Sequence, residues 1–275
     1  MLFHTFGDKN RPVLVMLTGS FCPGESMENL YSKLQEEFYI IVPTYNGHYE
    51  ESKDFTTRQG EASEIKQYIK ENEIDTIQMI YGQSMGSEVG IELLRQLLDE
   101  GIDVETTLFD GAPCIVLSKA YKAFMYWKFK TMISMLNGKT LDEAMNIPII
   151  KKFSNGDPEA LKPMIEPLIQ VAPFITKASI KNEVECCYTF DFPTISEEMQ
   201  QRMYFFYGEE EKAYKTCFKG VKKAYPKANY RVESGYGHLT YACKNIEMYV
   251  EWMKEICKDR KNSLRSDYND QSSQK

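Results

Sequence analysis

The chain has 275 residues, of which 43% are hydrophobic, and its formal net charge at pH 7 is −7. The length suits one large α/β domain with an insertion, and the acidic balance excludes the basic footprint of a nucleic-acid-binding protein. No apolar run reaches the roughly 18 residues that a membrane span needs, and the N-terminus has no signal-peptide pattern, so we expect a cytoplasmic protein without a nucleic-acid or membrane partner.

Apolar runs alternate with amphipathic stretches along most of the chain. The apolar runs predict strands at 13–18, 39–43, 76–81, 105–110, 202–207 and 229–233. The amphipathic stretches predict helices at 26–38, 57–72, 84–100 and 240–257. Such an alternation is typical of an α/β fold, in which a mostly parallel sheet carries helices on both faces.

The alternation stops between residues 110 and 202. This stretch is helix-like, and its segment Pro148–Pro173 holds five of the eleven prolines of the chain. Prolines at this density predict short, interrupted helices. We expect an inserted helical cap at 114–194 that covers the C-terminal edge of the sheet, where ligands of open α/β sheets bind.

The rest of the chain is predicted to form the core and a tail. Residues 1–113 and 195–258 carry the strand and helix patterns of the core. Residues 259–275 are polar and nearly devoid of apolar side chains, so we expect a disordered tail there.

The cysteines give no sign of a cross-linked or metal-bound protein. There are seven, an odd number, without the spacing of a disulfide framework or of a metal site, and Cys186 and Cys187 are adjacent. We expect reduced thiols and no metal.

The most informative motif is Gly82-Gln83-Ser84-Met85-Gly86. It follows the predicted strand 76–81 and opens the predicted helix 84–100, in which apolar residues recur at helical spacing. A serine between two glycines at a strand-to-helix turn is held with its hydroxyl exposed at the top of the sheet. In this context the motif predicts that Ser84 is a nucleophile rather than part of an ordinary glycine-rich turn.

A serine hydroxyl needs a base, and the chain has three histidines. His4 lies in the first strand-like stretch, and His48 lies in a loop after a strand. His238 lies in a loop of small residues between a short strand and the C-terminal helix. Since such a loop lets an imidazole reach over the sheet edge, His238 is the best candidate for the base.

A triad also needs a carboxylate that orients the imidazole. Glu209, Glu210 and Glu211 follow the strand 202–207 and compete for this role. At least two of them are expected to be a solvated acidic cap of the following helix.

Together these segments resemble the serine-nucleophile branch of the α/β-hydrolase superfamily, in which a helical cap is common. The family's chain order is nucleophile, acid and histidine. The segment "YGEEEKA" resembles the family's acid-bearing loop, in which the acid falls three residues after the glycine. This resemblance selects Glu211. The loop in "IIVPTYNGHYEES" resembles the family's glycine-histidine loop, which implies a structural role for His48.

The chain departs from this family at two positions. Thr18-Gly19 stands where the family often has His-Gly, so a histidine that usually braces the oxyanion loop is missing. The acid is Glu where the family usually has Asp. Asp110, at the end of the strand after the nucleophile helix, is therefore kept as a fallback for the acid, because some relatives use that position.

The resemblance implies a serine hydrolase that needs no cofactor. From the apolar cap segment we expect its substrate to be a small, mostly apolar ester, thioester or amide. The oxyanion would be held by the N–H groups of Met85 and Ser20, with Phe21 as an alternative to Ser20. A hydrolase-like protein that binds a small molecule with little turnover is the alternative, and a homodimer is allowed in either case.

The first predicted cap helix bears on the substrate. Its sequence "KAYKAFMYWKFKTMISMLNG" carries more apolar residues than one helical face holds. Either the helix packs on two sides, or its aromatic and Met side chains form a wall that faces Ser84, and the two interpretations are compatible. On the second, we expect Phe21, Phe124 and Trp127 to bind the substrate.

Overall fold

A seven-stranded sheet organises the chain, in the order β1-β3-β2-β5-β7-β8-β9. The structure is a computed structural model that describes residues 1–153 and 159–258. β1 is antiparallel to β3, and the other neighbours in this sheet are parallel. The remaining strands β4 and β6 form a short parallel pair. The strands are β1 Leu2–Phe6, β2 Val13–Leu17, β3 Tyr39–Thr44, β4 Thr76–Ile77, β5 Met79–Gln83, β6 Asp103–Val104, β7 Thr107–Asp110, β8 Met203–Gly208 and β9 Asn229–Glu233.

Helices follow most of these strands. They are α1 Glu28–Leu34, α2 Arg58–Glu71, α3 Met85–Asp99, α4 Lys119–Leu136, α5 Leu141–Met145, α6 Pro148–Phe153, α7 Lys162–Val171, α8 Lys177–Tyr188, α9 Glu197–Gln200, α10 Lys212–Ala224, α11 Thr240–Lys244 and α12 246–258. The predicted helix 240–257 is divided at Asn245, whose side chain donates a hydrogen bond to the hydroxyl of Tyr236 at 3.0 Å. Within the described part of the chain, no helix is both long enough and apolar enough to cross a bilayer.

The central strands β2, β3, β5 and β7 are buried on both faces. Successive side chains of a strand point in opposite directions, so each strand contributes to two clusters. In β2, Val13, Val15 and Leu17 join an apolar cluster with α2, α3 and α10. The alternate residues Leu14 and Met16 join a second cluster with α1 and α12. A strand buried on both faces has a continuous apolar run, as "VLVML" does. The prediction of a mostly parallel sheet with helices on both faces is confirmed.

Helices α4 to α8 form an insertion between β7 and β8. They share their own apolar cluster, which Phe21 from the loop after β2 completes. The two ends of this helical insertion run side by side, since the N–H of Phe190 donates to the carbonyl of Ile115 and that of Leu117 to the carbonyl of Tyr188. The insertion therefore leaves and re-enters the core at one place. The predicted tail 259–275 lies outside the described residues.

Candidate active site

Ser84 occupies a strained turn between β5 and α3. Its backbone has φ 52° and ψ −121°, a conformation that costs a non-glycine residue free energy. A Cβ atom on Gly82 would lie 2.5 Å from the carbonyl oxygen of Gly86, and one on Gly86 would lie 2.3 Å from that of Leu17. Both glycines are therefore needed for the close approach of strand, turn and helix. The N–H of Ser84 donates to the carbonyl of Asp110 at 2.8 Å, which ties the turn to β7.

Glu211 and His238 form a hydrogen-bonded pair at the same edge of the sheet. Nδ1 of His238 lies 2.5 Å from Oε2 of Glu211, and Oε1 of Glu211 accepts a hydrogen bond from the N–H of Gly208 at 2.9 Å. The Glu211 side chain is buried, whereas Glu209 and Glu210 are exposed. Among the three competing glutamates, the structure thus brings Glu211 to His238.

The end of β7 and the residue after it lie against both Ser84 and His238. The carbonyl of Asp110 holds the backbone of Ser84, as described above. The next residue, Gly111, has φ +64°, and a Cβ atom there would lie only 2.5 Å from Cε1 of His238. Glycine at this position lets the imidazole lie directly against the turn that anchors Ser84.

The surroundings of His238 favour its protonated form. Burial alone would lower the pKa of His238, but the hydrogen bond to Glu211 and the negative charges of Glu211 and Asp110 outweigh burial and raise this pKa above its ordinary value. A base that must carry a proton during acyl transfer benefits from such stabilisation of its imidazolium.

Asp110, the fallback acid, lies close by but has a different partner. Its Oδ2 accepts a hydrogen bond from the hydroxyl of Tyr249 at 2.8 Å. Burial and the negative charge of Glu211 raise the pKa of Asp110 to about 7. Since Glu211 already occupies Nδ1 of His238, Asp110 is better described as a buried neighbour of the pair than as the acid.

The loop after β2 lies against Ser84. A Cβ atom on Gly19 would be 3.4 Å from the Cβ of Ser84, so the loop passes beside the proposed nucleophile. The N–H of Phe21 donates to Oε2 of Glu183 at 3.0 Å and is therefore occupied, which corrects the alternative of Phe21 as an oxyanion donor. Ser20 remains the donor candidate from this loop. Met85 opens α3, where a first-turn N–H has no acceptor within the helix.

Neither a protein-family model nor a curated protein sequence matches the chain. Solved structures match its fold over almost the whole length. An alpha/beta hydrolase family protein from Desulfitobacterium hafniense matches with a TM-score of 0.71 and 17% identity, over 93% of this chain and 99% of that one. A thermophilic esterase from Thermogutta terrifontis matches with a TM-score of 0.71 and 15% identity, over 94% and 93%. An enol-lactonase from Burkholderia xenovorans matches with a TM-score of 0.67 and 14% identity, over 93% and 95%.

The chain has the α/β-hydrolase fold. Ser84 lies in a strand-to-helix turn between β5 and α3. In serine enzymes of this fold, a turn of this kind carries the nucleophile. Glu211 and His238 lie in loops that follow the last two strands of the sheet, β8 and β9. All three side chains thus belong to loops at the carboxyl ends of parallel strands, the edge at which open α/β sheets bind ligands.

One contact of this α/β-hydrolase fold was missed by the sequence analysis. Glu183, on α8, bonds to His48 as well as to Phe21: its Oε1 lies 2.8 Å from Nε2 of His48, and both side chains are fully buried. Nδ1 of His48 lies 3.3 Å from the carbonyl oxygen of Cys22. We call Glu183 and His48 the loop brace, because they hold the loop after β2 from the side of the insertion.

A sequence signal for the loop brace did exist. Ile180, Val184 and Cys187 are buried at helical spacing on α8, and Glu183 lies on the same face. A glutamate among buried residues requires a partner. His48 is the partner of Glu183, in agreement with the structural role that the resemblance implied for it. The loop after β2 itself has Thr18 where the family often has histidine.

The structure does not place Phe124 and Trp127 where the sequence analysis expected them. Their side chains are 50% and 60% exposed, and they contact each other on the outer side of α4. Phe129, from the same helix, points inward, with its ring centroid 5.3 Å from that of the buried Phe21. The expectation of a wall formed by Phe124 and Trp127 is corrected, because helical spacing groups side chains on a face without telling which face meets the core.

Within residues 1–153 and 159–258, no three His, Cys, Asp or Glu side chains are grouped so that they could hold a metal ion.

Proposed function

We propose that the protein is a serine hydrolase that cleaves a small, mostly apolar ester, thioester or amide through an acyl-enzyme on Ser84. The observation that carries this proposal is the pairing of His238 with a buried Glu211 at 2.5 Å, beside a strained turn that presents Ser84. The esterase and the lactonase that share the fold support hydrolysis of an acyl–oxygen bond.

The proposed reaction has two steps. His238 takes the proton of the Ser84 hydroxyl while the oxygen attacks the acyl carbonyl, and Glu211 holds the imidazole and stabilises its positive charge. The N–H groups of Met85 and Ser20 hold the oxyanion, each contributing about 3 kcal/mol to the transition state. His238 then gives the proton to the leaving group. In the second step it activates a water molecule, which releases the acid and regenerates Ser84.

The substrate preference rests on the helical insertion, which we propose acts as a cap. Its inner side is apolar and includes Phe129 over Phe21. Small-molecule pockets are predominantly apolar with few polar groups, and such a lining favours an apolar acyl group over a charged one.

Labelling and turnover together test the proposed function. A fluorophosphonate probe is expected to modify Ser84 alone, located by mass spectrometry of the digested protein. A panel of nitrophenyl esters of increasing acyl length is expected to show turnover with a preference for certain lengths. Labelling without turnover on any ester, thioester or amide would favour a ligand-binding protein, and the absence of labelling at Ser84 would refute the mechanism.

The loop brace gives a separate prediction. Replacing Glu183 with alanine frees the N–H of Phe21 and leaves Nε2 of His48 without its partner, so the loop that carries Ser20 loses its fixed position. Turnover is expected to fall by roughly 100-fold, as for a displacement of a catalytic group by about 1 Å. Because an oxyanion donor acts in the transition state, kcat is expected to fall while KM changes little.

The matched control is Glu185→Ala. Glu185 lies on the same helix but is partly exposed and pairs with Lys122 at the surface. This variant is expected to retain near-normal kcat. Urea unfolding measures how far Glu183→Ala lowers stability, separately from its effect on kcat, since buried groups left unpaired cost about 1–3 kcal/mol each. An unchanged kcat in a folded Glu183→Ala protein would show that the brace does not position the loop for catalysis.

A further inference from the structure

The outer side of α4 exposes four large apolar side chains. Tyr121 is 36% exposed, Phe124 50%, Trp127 60% and Met135 40%. Residues three or four positions apart lie on one face of a helix, as Tyr121, Phe124 and Trp127 do. Met135 follows Trp127 by eight positions, about two helical turns, and lies on the same side. We call these four residues the outer stripe. Exposed apolar patches on a folded domain mark interaction sites.

The outer stripe is distinct from the packed side of the same helix. Met125, Ile133 and Leu136 are buried and face the rest of the insertion. In the outer stripe, the ring centroids of Tyr121 and Phe124 lie 5.9 Å apart, and those of Phe124 and Trp127 lie 6.1 Å apart. Beside Trp127 a shallow groove of about 240 Å³ is lined by Trp127, Lys128, Thr131, Met132, Met135 and Pro148.

The charge around the outer stripe is opposite to that of the chain. The chain carries a net charge of −7, yet residues 111–141 contain five lysines and no Asp or Glu. Lys119 and Lys130 are exposed on α4. Lys122 pairs with Glu185 and Lys139 pairs with Glu143, and both glutamates lie outside residues 111–141. A local excess of positive charge next to exposed aromatic rings attracts an anionic partner.

We propose that α4 lies in the surface of an anionic lipid bilayer, with the outer stripe among the upper acyl chains and its lysines among the headgroups. Helices of this type combine Lys with Trp, Phe or Leu and bind by buried apolar area together with charge attraction. Tyr and Trp suit this position because one end of each ring system is apolar and the other is polar.

Charge also argues against a second copy of the chain on this face. Two outer stripes placed together would bring two acid-free, lysine-bearing segments into contact, and like charges across an interface oppose association. A bilayer that contains acidic lipids has the complementary charge. This proposal departs from the sequence-based expectation of no membrane partner. That expectation rested on the lack of a membrane-spanning run, and a helix that lies on a bilayer needs no such span.

The position of α4 connects this surface to the candidate site, an extension that rests on the proposed function. The outer stripe faces away from the insertion, while Phe129 on the opposite side contacts Phe21 in the loop beside Ser84. One helix thus separates the lipid surface from the site. The substrate class that suits this arrangement is a lipid-like ester with an apolar acyl chain, taken from the bilayer rather than from solution.

The chain contains its own reporter for the test. It has two tryptophans, and Trp252→Phe leaves Trp127 in the outer stripe as the only tryptophan, whose emission is excited at wavelengths that tyrosine does not absorb. With Ser84→Ala to prevent hydrolysis, the protein is mixed with vesicles of phosphatidylcholine and phosphatidylserine, or of phosphatidylcholine alone. On the mixed vesicles, the emission of Trp127 is expected to shift to shorter wavelength and to be quenched by lipids brominated near the headgroup. Added salt is expected to reverse both changes.

Variants make the test quantitative by co-sedimentation with the same vesicles. Lys119→Gln with Lys130→Gln is expected to weaken binding roughly 25-fold, since each lysine near an anionic surface contributes about a fivefold factor. Phe124→Ser with Trp127→Ser is expected to weaken it at least as much. Leu98→Ser with Met248→Ser is the control, because these residues are 37% and 64% exposed on α3 and α12 of the core and carry no such role.

Three results would overturn the inference. They are an unchanged Trp127 emission on mixed vesicles, binding that the outer-stripe variants and the control reduce equally, and a dimer in sedimentation velocity that the outer-stripe variants dissociate. Vesicle binding is measured on Ser84→Ala, so it stands or fails separately from the proposed function. A protein that binds vesicles but is never labelled refutes the hydrolase, and one that is labelled but never binds vesicles refutes the docking surface.

Discussion

Replacing Ser84 with alanine is expected to abolish fluorophosphonate labelling and to lower ester turnover by a factor on the order of 10⁴–10⁶. Alanine keeps the Cβ atom and the backbone of the turn, so the fold is expected to persist, with the same far-ultraviolet circular dichroism and a similar midpoint of urea unfolding. The loss then reports the hydroxyl alone, because only this oxygen is proposed to form the acyl bond.

Ser20→Ala is the matched control for Ser84→Ala. Ser20 is proposed to act through its backbone N–H, which alanine retains, while its hydroxyl lies 3.5 Å from the sulfur of Cys187. Turnover in Ser20→Ala is expected to stay within a few-fold of the unmodified protein. A Ser84→Ala protein that is still labelled, or that still turns over esters at the normal rate, would contradict the assignment of the nucleophile.

Glu211→Gln is expected to lower kcat by about 10³–10⁴-fold while the protein stays folded. Glutamine has the shape of glutamate but lacks the negative charge that stabilises the imidazolium of His238. Glu209→Gln and Glu210→Gln change exposed side chains and are expected to have almost no effect. Asp110→Asn is expected to cost less than Glu211→Gln, and the opposite order would move the acid to the end of β7.

The pH dependence checks the same assignment independently. The base must be neutral to accept the Ser84 proton, so turnover is expected to rise with pH through the pKa of His238, which Glu211 and Asp110 raise above its ordinary value. In Glu211→Gln the charge that raises this pKa is lost while burial, which lowers it, remains. The rise in kcat/KM is therefore expected to move to lower pH. A shift to higher pH would show that Glu211 does not stabilise the imidazolium.

Local patterns predicted the parts of the site that depend on neighbours in sequence. The apolar strand, the glycines and the apolar spacing after Ser84 all lie within a short segment of the chain, so the strand-to-helix turn that carries Ser84 could be predicted directly. The strands of the sheet were predicted for the same reason, and most differ from the predicted ones only at their ends. The exception is the predicted strand 76–81, which is divided at Gln78 into β4, paired with β6, and β5 of the main sheet. The choice of Glu211 over its neighbours came from the resemblance, since three adjacent glutamates have nearly the same local pattern.

Contacts between distant segments could not be predicted in this way. Glu183 and His48 are 135 positions apart, and nothing in either segment specifies the other. The helix α4 shows a second limit, because both of its sides are apolar. Periodicity grouped Phe124 with Trp127 correctly, but only the packing of the insertion decides that Phe129 points inward and that they do not.

Through the loop brace, the position of the loop beside Ser84 depends on the position of the insertion. A carboxylate contributed by α8 determines where a backbone N–H group beside Ser84 can lie, so any movement of α8 away from the core would release that loop at the same moment. A chimaera that receives the insertion of another protein with this fold is therefore expected to fold, yet to lose roughly 100-fold in turnover, as Glu183→Ala does, unless an acidic residue is kept at position 183. If whole insertions are exchanged between such proteins to change their specificity, the residue at position 183 must therefore be chosen to suit the core that receives the insertion.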